Sequence, residues 1–161
     1  MNLEMYKECI IDRSTDKSYE KIYCNSSFCS HCQGKYCCNT MGCGIDPKDL
    51  KEISISLIIK LLQSDIVCID RYFDDEENST MFLRIKNIDN DIFSFDYGFG
   101  CILQTEYGCP LSFGYRPREA RELIPNYDHT KCQPVYTREQ CAKDWEPYQE
   151  ILTDVAIRFL D

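Results

Sequence analysis

Long apolar runs are missing from this chain. The longest is Leu57-Ile58-Ile59, continued by Leu61-Leu62 after Lys60, far short of the roughly 18 apolar residues that a membrane span needs. The stretch from Met1 to Glu8 has no apolar signal core, so no membrane partner and a cytoplasmic location are expected. Histidine is scarce, with only His31 and His129. Positive charge is short as well: 18 Lys+Arg against 27 Asp+Glu leave a formal charge of -9. No Lys/Arg run offers a groove for phosphate backbones, so nucleic acid is not an expected partner. Internal repeats and low-complexity tracts are absent. Hydrophobic residues at 43% and charged residues at 28% make an ordinary globular balance, so an ordered domain is expected.

Against these shortages stand twelve cysteines among 161 residues. Reducing cytosol keeps thiols from pairing stably, so a high count there points to metal or redox chemistry. Small secreted chains use disulfides because they lack a core, and this chain is long enough to build one. Metal binding is therefore weighed above a disulfide framework.

The pattern predicts an α+β fold. It is a single small, irregular, cysteine-rich domain over residues 1–161, with a short antiparallel sheet, flanking helices and a C-terminal helix. Tyr6, Cys9, Ile10 and Ile11 fit one short amphipathic helix. Cys24 to Cys43 reads as loop, with Gly34, Asn39 and Gly42 offering turn conformations. Asp46 is a good N-cap, Pro47 suits the first helical position and Asp49 complements the dipole. Leu50, Ile53, Leu57, Ile58 and Leu61 then recur at helical spacing. Ser54 and Ser56 interrupt them, so either one helix runs to about Gln63 or a short one restarts after Ser54. Ile66 to Phe73 reads as a strand. Met81, Leu83 and Ile85 alternate with Phe82, Arg84 and Lys86 as a second, and Phe93, Phe95 and Tyr97 mark a third. The acidic turns at 74–78 and 89–91 lack the spacing of a calcium loop and read as solvated. Thr137 and Gln140 have capping-box spacing. Cys141, Trp145, Tyr148, Leu152, Val155 and Phe159 share one helical face, and Pro147 should break or kink that helix, with a second helix starting there.

The cysteines fall in groups. The first reads Cys29-Ser30-His31-Cys32-Gln33-Gly34-Lys35-Tyr36-Cys37-Cys38. A C-x2-C pair lets one tight turn aim two thiolates at one ion. The second joins Cys101 and Cys109, separated by enough chain for a hairpin loop. The third is Cys132 and Cys141. Thiolates gathered this closely repel one another without a metal. Lys35, Arg116 and Arg121 are candidates to balance the remaining charge. Cys9 and Cys68 sit in apolar surroundings and read as buried structural thiols.

On these residues the chain resembles the YkgJ-like CxxCxxxCC cysteine-cluster family, described as zinc- or iron-chelating. The resemblance rests on Cys29, Cys32, Cys37 and Cys38, then Cys101, Cys109 and Arg116-Pro117-Arg118-Glu119-Ala120-Arg121-Glu122-Leu123-Ile124-Pro125. It spans roughly residues 29–125. Two departures stand out. Four residues, not three, separate Cys32 from Cys37. The family's last cysteine falls at Ala120, which cannot ligate, and Cys132 or Cys141 lies just downstream to replace it.

The expected ligands are Cys29, Cys32, Cys37, Cys38, Cys101, Cys109, Cys132 and Cys141, with Cys24 and Cys43 as alternates. Eight thiolates suit two tetrahedral four-thiolate sites or one multinuclear cluster. Zinc in structural sites is the expected cofactor, with metal ions and a protein as partners. The alternative is an iron or iron-sulfur protein with redox or oxidative activity. An open iron site would need donors such as Glu106, Asp128 or His129, and His31 is a further imidazole. Metal storage or delivery is a third reading, with labile ions.

Overall fold

The structure is a computed structural model that describes residues 1–17, 42–88, 100–103, 105, 109–124 and 133–160. The chain opens with helix α1, Leu3–Cys9, whose Asn2 cap accepts from the Met5 amide at 3.0 Å. Tyr6 and Cys9 lie on its buried side. Asp46 caps a single 3-10 turn, Pro47–Asp49. The helix signal then stops, because Leu50 returns to extended backbone. Ser54 starts a separate helix, α2, Ile55–Gln63, by accepting from the Leu57 amide. Of the two arrangements the sequence allows here, the restart is the one present. The serine competes for the backbone and wins a cap instead of an interior position.

Strands β1, Val67–Phe73, and β2, Ser79–Ile85, form an antiparallel hairpin in the register Val67↔Ile85 through Phe73↔Ser79. Its turn is built by Asp74, whose Oδ1 accepts from the Glu76 and Asn78 amides, with Glu77 at φ 63°. The tip is exposed and the open end is buried on both faces. Arg84, expected on a polar face, is wholly buried instead. It forms an ion pair with Asp70 at 2.7 Å and donates to Asn87 Oδ1 at 3.1 Å. A buried charge survives because it is paired and hydrogen-bonded.

Downstream come α3, Arg118–Arg121, the short pair β3, Leu123–Ile124, with β4, Gln133–Pro134, and α4, Arg138–Trp145. Thr137 caps α4 by accepting from the Gln140 amide. Pro147 sits in a 3-10 turn, Glu146–Tyr148, after which α5, Gln149–Leu160, restarts. Helices α4 and α5 pack on the hairpin, and α2 packs between α1 and α5. Cys141, Trp145, Leu152 and Val155 are buried there, with Tyr148 and Phe159 at the margin. This is the expected α+β arrangement, closed by a C-terminal helix. The expected third strand at Phe93–Tyr97 lies outside the described residues. Among the described residues, no helix is long and apolar enough to cross a membrane.

Candidate metal centre

Three cysteines remote in sequence line one cavity beside the open end of the hairpin. Cys43 arrives on an edge segment laid along β2. The Ile85 amide donates to Cys43 O at 3.0 Å, and the Ile45 amide donates to Leu83 O at 2.9 Å. Glycine makes this approach feasible: a Cβ on Gly42 would stand 1.8 Å from Ile85 O. Cys101 arrives on a segment paired with the chain leaving β2. There the Ile102 amide donates to Lys86 O at 2.9 Å, and Cys101 bridges Asn87. Its sulfur accepts from the Leu103 amide at 3.4 Å. Cys109 precedes the 3-10 turn Phe113–Tyr115 that leads into α3.

Cys43, Cys101 and Cys109 line one cavity of about 20 Å3, together with Ile85, Leu103, Leu111, Arg116, Pro117 and Ala120. Apolar groups make most of the wall. Among the described lining residues the one formal charge is the buried Arg116 guanidinium, whose Nε donates to Leu111 O at 3.1 Å. Burial holds the Cys43 thiol well above its ordinary value, and the nearby Glu119 carboxylate adds to that.

Hydrogen bonds and ion pairs clamp α3 against the edge segment. Glu119 Oε2 accepts from the Gly44 amide at 2.6 Å, and Gly44 O accepts from the Glu119 amide at 3.4 Å. Arg121 pairs with Asp49 at 2.7 Å and donates to Arg116 O at 2.6 Å. Arg118 pairs with Asp46 at 2.9 Å and with Glu122, and its guanidinium lies 4.3 Å from the Tyr136 ring centre. Tyr6 of α1 donates to Tyr115 O at 2.8 Å. Burial raises the Asp49 carboxyl, while Arg121 pulls the other way.

The remaining thiols have other surroundings. Cys141 is buried on α4, donates to Ile45 O at 3.5 Å and packs against Gly44 beside Trp145. Burial raises its thiol far above the usual range. Cys9 and Cys68 are buried, in keeping with their reading as structural thiols. No disulfide joins the described cysteines to one another. Cys24, Cys29, Cys32, Cys37, Cys38 and Cys132 lie outside the described residues, as do Lys35, Glu106, Asp128 and both histidines. Among the described residues, no three His, Cys, Asp or Glu side chains stand as a group that could hold a metal ion.

The donor chemistry nonetheless suits a thiophilic ion, since three sulfurs and no carboxylate line the described wall. Of the expected ligands, Cys101 and Cys109 share this cavity, while Cys141 does not line it. Cys43, weighed only as an alternate, does. Its signal was the flanking pair Gly42 and Gly44, which permits tight backbone packing. Of the two described cations expected to balance charge, Arg116 lines the cavity and Arg121 braces Arg116 from behind. Comparison with protein-family models, with curated proteins and with solved structures finds no match to this chain.

Proposed function

We propose that this chain is a metal-binding cysteine-cluster protein whose thiolates hold zinc in mainly structural sites. One observation carries the reading: Cys43, Cys101 and Cys109, from three separate stretches of chain, line one small apolar cavity. Inert thiols give no reason for such convergence, since a buried cysteine packs as well against any apolar neighbour. The resemblance of the cysteine spacing to the YkgJ-like family supports the reading.

In this reading Cys29, Cys32, Cys37, Cys38, Cys132 and Cys141 join Cys101 and Cys109 in the ligand set. Thiolate ligation calls for a reducing compartment, so the location is the cytoplasm. A bound ion supplies a cross-link between loops. At this cavity the joined pieces are the edge segment beside β2, the chain after the hairpin and the approach to α3. The free energy of binding is then folding free energy, and metal-free protein is less ordered. A surface for a protein partner lies elsewhere on the molecule.

Elemental analysis of the full chain, purified without air, together with its absorption spectrum, tests this. Stoichiometric zinc in a colourless sample is the expected result. A brown sample with visible absorption would move the reading to an iron or iron-sulfur protein with redox or oxidative activity. Freshly purified, reduced protein carrying no metal would overturn both.

A further inference from the structure

We draw no further inference here: the strongest candidate, the open cleft of about 400 Å3 between α1 and α2 that Cys9, Lys51, Glu52 and Lys60 line, is walled mostly by exposed side chains, its Lys60 is already paired with Glu8, and nothing in the structure shows what ligand would fill it.

Discussion

Cys109 and Cys68 carry the same side chain into opposite roles. Cys109 lines the cavity shared with Cys43 and Cys101, whereas Cys68 faces the buried side of β1 opposite Arg84. Cys109→Ser should therefore lower bound metal and the unfolding temperature, while Cys68→Ser should leave metal stoichiometry unchanged; elemental analysis and calorimetry read both. Unchanged metal content in Cys109→Ser and Cys32→Ser would remove both from the ligand set. Cys68 has an alkaline signature of its own. Burial pushes its thiol up to about 11, against roughly 8.5 in an unfolded chain. The folded state thus holds this proton more tightly. The stability it contributes is whole below the unfolded value and is lost as pH rises toward the folded one, about 3 kcal/mol in all. Denaturant unfolding should show stability falling across that alkaline window and a smaller fall in Cys68→Ser. Burial shifts Cys9, Cys43 and Cys141 in the same direction, so the fall should shrink without vanishing. An equal fall in both proteins would contradict the assignment to Cys68.

The starts at Leu3, Pro47, Ile55 and Arg138 are each capped by one small polar side chain, Asn2, Asp46, Ser54 and Thr137. Ser54 accepts from the Leu57 amide at 3.2 Å at the head of α2. Ser54→Ala should cost about 1 kcal/mol, measured by denaturant unfolding at fixed metal, and a neutral result would mean that packing alone sets that boundary. Such starts were legible in the sequence: Asn2 apart, the caps at Asp46, Ser54 and Thr137 and the break at Pro147 all stand where residue chemistry puts them. The apolar run after Pro47 was ambiguous because Leu50 and Ile53 match helical spacing while lying in extended chain. Leu50 is buried through its bridge to Ile10, just past α1, and not on a helical face, while Ile53 is only half-buried. The strands were legible from alternation, but the burial of Arg84 was not. Alternation assumes one wet face, whereas Arg84 is wholly buried with Asp70 and Asn87 as its partners. Cys43 was half-legible for a related reason. Its glycine neighbours announce close packing without saying which sheet edge receives it. Ala120 reverses the case: alanine cannot ligate, yet its position lines the cavity.

At the scale of the whole molecule, the cavity lies at a junction between pieces that hydrogen bonds and ion pairs already join. The edge segment, the chain after the hairpin and α3 are joined by Glu119 with Gly44, by Arg121 with Asp49 and by the Arg116 wall. Metal-bound sulfur would complete that junction, which makes thiol chemistry and metal retention two readings of one property. A mercurial titration of the reduced, metal-loaded full chain follows both in the same sample, by counting modified thiols and released metal together. Metal should appear in step with thiol modification, in a fixed ratio of thiols to ions, and the hydrodynamic size should grow as it leaves. Complete modification of the thiols with no metal released, or metal released while the thiols stay intact, would contradict thiolate ligation outright.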